Sequence, residues 1–145
     1  MYKRILLAYD GSTPGQKALL DCREIAQWSG ASLTLIAVMP LQRQVVAAEG
    51  VIYDQSTVDQ ERDRYRGILN DGLRRLIEAG HDASGEVLYG ETVDEIASYA
   101  KQIDADLIVV GHKHLEGWAA RWWRGSVSKS LIAQAPCSVL VVITR

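Results

Sequence analysis

Asp10, Gly11 and Ser12 close a short apolar run near the N-terminus, and Gly125 and Ser126 precede an apolar stretch near the C-terminus. A glycine-serine pair at a helix entrance exposes backbone N–H groups, and the helix dipole adds partial positive charge. Such a pair suits an anion such as phosphate. It equally suits plain N-capping by Ser126. The segment 111–126 (GHKHLEGWAARWWRGS) leading to it is basic. His112, Lys113, His114, Arg121 and Arg124 lie within it and Lys129 just beyond, against a single acid, Glu116. Asp10 suits two roles: holding a ribose hydroxyl or a metal ion, or fixing its own turn as an Asx-turn. His112 and His114 do not make a metal site alone, because no nearby acid or thiol completes the ligand set. They fit a loop lining or a phosphate contact. Trp118, Trp122 and Trp123 with the flanking arginines suit either a stacking surface or the packing of a long loop onto the domain.

Five apolar runs and four helical patterns must position these groups. Residues 3–9 (KRILLAY) read as a buried strand closed by turn residues. Thr13, Pro14 and Gln16 follow as a capping box with proline in the first turn, and Gly30 ends that helix. Ala18, Cys22, Ile25, Ala26 and Ser29 share its inner face. Residues 32–38 form a second strand stopped by Met39-Pro40, and 41–55, without a clean period, read as a loop. Tyr65, Leu69, Gly72, Leu73, Leu76 and Ile77 mark an amphipathic helix over 57–79, with Gly80 as its stop. A third strand, 83–89, turns at Gly90, and Thr92 with Glu95 predicts a second capping box. Val93, Ile96, Ala97, Ala100 and Ile103 form the buried stripe of that helix. Residues 106–110 (DLIVV) are apolar on both faces, as a central parallel strand must be. A short helix over 126–134 and a last strand from Val139 to Ile143 complete the series.

Regular β-α alternation with right-handed crossovers implies an α/β fold, a five-stranded parallel sheet in a doubly wound three-layer sandwich. Ligands of such sheets sit beyond the carboxyl ends of the strands, at a topological switch point. That directs attention to Asp10-Gly11-Ser12, to Val38-Met39-Pro40 and to 111–126.

Bulk properties narrow the classes. With 145 residues the chain fits one domain, 1–145. Its 16 basic and 18 acidic side chains nearly cancel to −2, against a nucleic-acid binder working through net charge. Cys22 and Cys137 are far apart and lack a CxxC or zinc spacing, which suits a reducing compartment. No signal-peptide pattern is visible, and the longest aliphatic run, Val139 to Ile143, is far short of the about 20 residues that span a bilayer. The expectation is a cytoplasmic protein. The aromatic inventory is uneven, with four Trp, six Tyr and no Phe.

On KRILLAYDGS (3–12), Gly90-Glu91, ADLIVVGHK (105–113) and RGSVSKSLIAQAPCSVLVV (124–142), the whole chain resembles a universal stress protein of the single-domain type. The resemblance implies strand order 3-2-1-4-5 and a homodimer paired through the last strand, Val139 to Ile143. Some members bind ATP, with Mg²⁺, through a G-x2-G-x9-G-[ST] segment. Carried over residue by residue, this implicates Asp10, Val38, Gly111, Gly125 and Ser126, with Val127 and Ser128 as further donors. The chain departs from the pattern: His114 stands at the second glycine, and ten residues separate it from Gly125. Two other readings stand beside the nucleotide module. One is an interaction protein acting through its dimer surface and Trp/Arg loop. The other is a slow ATPase, against which the chain has no GxxxxGK[ST] segment.

Overall fold

The computed structural model describes residues 1–40, 46–47, 50–51, 55–113 and 127–144. In chain order the elements are β1 (Arg4–Ala8), α1 (Thr13–Ser29), β2 (Ser32–Met39), β3 (Val46–Ala47), β4 (Gly50–Val51), α2 (Gln55–Glu78), β5 (Ala83–Tyr89), α3 (Thr92–Gln102), β6 (Leu107–Lys113), α4 (Val127–Gln134) and β7 (Ser138–Thr144). The main sheet runs β5-β2-β1-β6-β7, and every neighbouring pair is parallel. This is the predicted 3-2-1-4-5 order.

β1 lies at the centre because it is apolar on both faces. Ile5 pairs in register with Leu33 on one side and Leu107 on the other. Alternate side chains then enter opposite cores. Ile5, Leu7 and Tyr9 join Ala18, Cys22 and Leu76 in a layer beneath α1 and α2. Leu6 joins Ile36, Ile96, Ile108 and Leu131 beneath α3 and α4.

Two caps differ from the sequence expectation in the same way. At α1 the cap is Ser12, not Thr13: its hydroxyl accepts the Gly15 N–H at 3.1 Å. The Gln16 amide donates to the Gly11 carbonyl at 3.2 Å, so it does not close a capping box on Thr13. At α3 the cap is Glu91, whose carboxylate accepts the Asp94 N–H at 2.8 Å, in place of Thr92. Each helix thus begins at the threonine expected to cap it. Gly30 ends α1 in the left-handed conformation, φ 68°, as its position implies.

Two strand regions also differ. Within 41–55, read as a loop, Val46 pairs with Val51 and Ala47 with Gly50 in a two-residue antiparallel ladder. A ladder that short leaves no periodicity to detect. β6 extends beyond Val110, because Gly111, His112 and Lys113 continue the register against Val142, Ile143 and Thr144 of β7. Among the described residues no helix is long and apolar enough to cross a membrane.

Candidate functional site

A cleft of about 560 Å³ opens beyond the carboxyl ends of β1, β2 and β6. Asp10 comes from the end of β1, Val38 and Pro40 from the end of β2, and Gly111 and His112 from β6. Tyr65 of α2 reaches in from one layer, and Thr92 and Ile96 of α3 from the other. The lining is mainly apolar with a few polar groups, the usual make-up of a small-molecule site, and its volume falls within the range of about 300–1,000 Å³ for such sites.

The floor on the β1 side is built by a hydrogen-bonded turn. The Asp10 carboxylate accepts the Ser12 N–H at 2.9 Å and the Ser12 hydroxyl. The same hydroxyl accepts from Gly15, so Asp10 orients the cap of α1. The Asx-turn reading of Asp10 is therefore realised, and its carboxylate still stands exposed on the cleft. Ser12 and Pro14 place the amino end of α1, with its partial positive charge, on the same wall.

Gly111 has a packing requirement. A Cβ there would collide with the Pro14 carbonyl and lie 2.6 Å from the Gly15 nitrogen. These are backbone atoms of the first turn of α1, which cannot swing aside as a flexible side chain does. The absence of a side chain on β6 is what lets the helix entrance sit directly over the strand. Gly15 is held similarly, since its Cβ would come within 2.7 Å of the Asp10 carboxylate.

Behind the cleft, Tyr9 ties the end of β1 to α2. Its hydroxyl donates to Asp71 at 3.3 Å, and Asp71 also accepts from Arg75 at 2.9 Å and Arg74 at 2.8 Å. Burial, followed by the negative charge of Asp71, pushes the Tyr9 phenol above its ordinary pKa, so it stays a hydrogen-bond donor. The Arg74 hydrogen bond, reinforced by Arg75, holds the Asp71 carboxyl below the usual carboxylate range. Cys22, fully buried in the core, has its thiol pushed up to about 12 by burial and is a packing residue. Cys137 is half-buried, and burial raises its thiol pKa too.

Of the site residues predicted from sequence, Asp10, Val38, Gly111 and His112 meet in this cleft. Val127 and Ser128 open α4, with side chains outside the described set. His114, Gly125 and Ser126 lie outside the described residues, as do Trp118, Arg121, Trp122, Trp123 and Arg124. Among the described residues there is no group of three or more His, Cys, Asp or Glu that could hold a metal ion. Sequence reasoning missed Tyr65, Thr92 and Ile96 as cleft residues. Tyr65 was visible only as the first member of an apolar helical stripe, and nothing in that pattern says where the sheet beneath it ends.

Comparison with known proteins accords with the fold. The model of the universal stress protein family matches residues 1–142. A Staphylococcus aureus protein named as a universal stress protein is 32% identical, over 99% of this chain and 86% of its own length. The crystal structure of a universal stress protein family member from Burkholderia pseudomallei superimposes with TM-score 0.76 at 27% identity, covering 97% of this chain and 96% of that one. A universal stress protein in complex with cAMP superimposes with TM-score 0.73 at 24% identity, covering 99% of both chains. An Arabidopsis thaliana family protein with AMP bound superimposes with TM-score 0.72 at 19% identity, covering 99% of this chain and 92% of that one. With a family model spanning nearly its whole length and its strands in the order expected of that family, the chain belongs to the universal stress protein family.

Proposed function

We propose that this protein is a dimeric, cytoplasmic stress-response module that binds an adenine nucleotide, ATP with Mg²⁺, in the cleft at the ends of β1, β2 and β6. The observation that carries this reading is the convergence of Asp10, Val38 and Gly111, from three strands, on one cleft of suitable volume. Family structures complexed with cAMP and with AMP support adenine, ribose and phosphate as the common ligand chemistry. The apolar end formed by Val38 and Pro40 suits a base. Asp10 suits the ribose hydroxyls. The amino end of α1 and the entrance to α4, with Gly125, Ser126, Val127 and Ser128, suit the phosphates, and His112 and His114 suit the same anionic group. Mg²⁺ is commonly held by one or two carboxylates together with substrate phosphates, and Asp10 is the carboxylate on the described lining. Residues 1–145 act as one domain in this reading, and two copies pair through β7.

Calorimetric titration of nucleotide-stripped protein with ATP and Mg²⁺ tests it. Saturable heat is expected, with adenine nucleotide found in freshly purified protein. No heat up to millimolar ATP, with no co-purifying nucleotide, overturns the reading in favour of a pure interaction protein. Steady ATP turnover abolished by Asp10→Ala would assign the cleft to an ATPase instead.

A further inference from the structure

The geometry points to Tyr65 as the residue that selects the base: its ring forms a stacking wall of the cleft and favours a purine over a pyrimidine. This deepens the nucleotide reading and rests on it.

α2 packs over β2 and β5. It packs tightly on the sheet's side chains at Gly72, where a Cβ would be 2.6 Å from Leu35 and 2.9 Å from the Tyr9 ring. Tyr65 is seven residues earlier, close to two turns, so it leaves the helix on nearly the same face about 10 Å further along. Leu69 and Leu76 on that stripe are buried in the core. Tyr65 is only partly buried, packs against the edge of that core and lines the cleft. The inward stripe of α2 therefore continues beyond the buried core, and at Tyr65 it meets the cleft.

Tyr65 enters the cleft from the layer of α1 and α2, and Val38 packs with the layer beneath α3 and α4, so the ring and the aliphatic side chain line the cleft from opposite faces of the sheet. Tyr65, Val38 and Pro40 give the cleft an aromatic ring, an aliphatic side chain and a proline, surfaces that recognise a flat ring by contact. The Arg64 guanidinium lies 5.8 Å from the Tyr65 ring centroid, an attractive cation–π contact. The hydrogen bond from Tyr9 to Asp71 fixes the helix two turns below. A half-buried ring packed against the core loses little further freedom when a base stacks on it, and stacking strength grows with the area of the base.

The experiment measures dissociation constants of ATP, CTP and inorganic tripolyphosphate, with Mg²⁺, for the native chain and for Tyr65→Phe, Tyr65→Leu and Tyr65→Ala. The native chain is expected to prefer ATP to CTP. Tyr65→Phe keeps that preference. Tyr65→Leu, which retains bulk and apolarity without the ring, weakens ATP by about tenfold, in line with single base-stacking contacts. Its CTP binding falls less and its tripolyphosphate binding is unchanged, and Tyr65→Ala follows the same pattern with a larger loss of ATP. Thermal melting of each variant shows whether the fold is kept; should Tyr65→Ala fail to fold, Tyr65→Leu decides. Equal affinity of Tyr65→Leu and native chain for ATP overturns the assignment, as does an equal loss for all three ligands. Those outcomes leave the nucleotide reading standing. Absence of ATP binding by the native chain overturns both.

Discussion

At the scale of single residues, the cleft shows how one side chain serves fold and site together. Asp10 accepts two hydrogen bonds from Ser12 and so sets the cap of α1, while its carboxylate faces the cleft. The two tasks separate by substitution. Asp10→Asn keeps an oxygen for the Ser12 N–H and removes the charge; Asp10→Ala removes both. Thermal or urea unfolding is expected to place Asp10→Asn within about 0.5 kcal/mol of the native chain and Asp10→Ala about 1 kcal/mol below it, the usual cost of losing an oriented cap. Affinity for ATP with Mg²⁺ is expected to fall in both. A native-like affinity for Asp10→Asn would restrict Asp10 to the turn. Gly111 carries a parallel lesson. It lies in a motif that the family resemblance assigns to nucleotide contact, and its backbone is pressed against Pro14 and Gly15. Residue type alone does not distinguish a glycine needed by a ligand from one needed by a helix, since both requirements are for an absent Cβ.

At the scale of elements, the central sheet is tied at both ends of β1 by side chains distant in sequence. At the carboxyl end Tyr9 donates to Asp71 of α2. At the amino end the Asp106 carboxylate, next to β6, accepts the Lys3 N–H at 2.7 Å and the Arg4 N–H at 3.0 Å. Burial alone would raise the Asp106 pKa, but the backbone donors Lys3 and Arg4 outweigh it and hold the carboxyl below its usual value. A carboxyl depressed on folding contributes stability that is present above its unfolded pKa, about 3.9, and is lost as pH falls through the folded value. The unfolding free energy of the native chain therefore falls on acidification below about pH 4. Asp106→Asn, which cannot ionise, is expected to be less stable than the native chain at pH 7. Urea melts from pH 7 down to pH 2.5 should show the two chains converging at the acid end. A constant gap across that range would remove the carboxylate from the account. The elements themselves were largely legible: 83–89 was read with its observed bounds, and the other sheet strands were found with ends shifted by one to three residues. The moved cap of α1 and the longer β6 have physical causes. Asp10 prepares Ser12 to cap α1, one residue before the capping box, and cross-strand pairing with β7 draws Gly111, His112 and Lys113 into β6. Neither cause is visible to a local pattern.

At the scale of the whole molecule, β7 is an edge of the five-stranded sheet, and its outer backbone is the surface proposed to pair with a second copy. Val139 and Val141 pack partly against the core beneath α3 and α4, so a charge there would disturb the fold itself. Ile143 is 49% exposed on the same strand, and Ile132 of α4 is 62% exposed. Ile143→Asp is expected to leave thermal stability within about 0.5 kcal/mol, as surface substitutions do, and to shift the protein from dimer to monomer in light scattering. An unchanged dimer would move the interface off this edge.

The amino-acid sequence by itself determined the class and order of the elements, because alternation of apolar runs with 3.6-residue periodicity is a local property. It also determined which residue types stand at the ends of the strands, Asp10, Val38 and Gly111 among them. Only the tertiary structure decided which of these share one cleft, that Ser12 and not Thr13 caps α1, and that Gly111 is required by a helix crossing it. It alone showed that the inward stripe of α2 continues beyond the buried core and brings Tyr65 to the cleft. Three-dimensional packing sets where one element ends relative to another, and that offset has no signature in either element read alone.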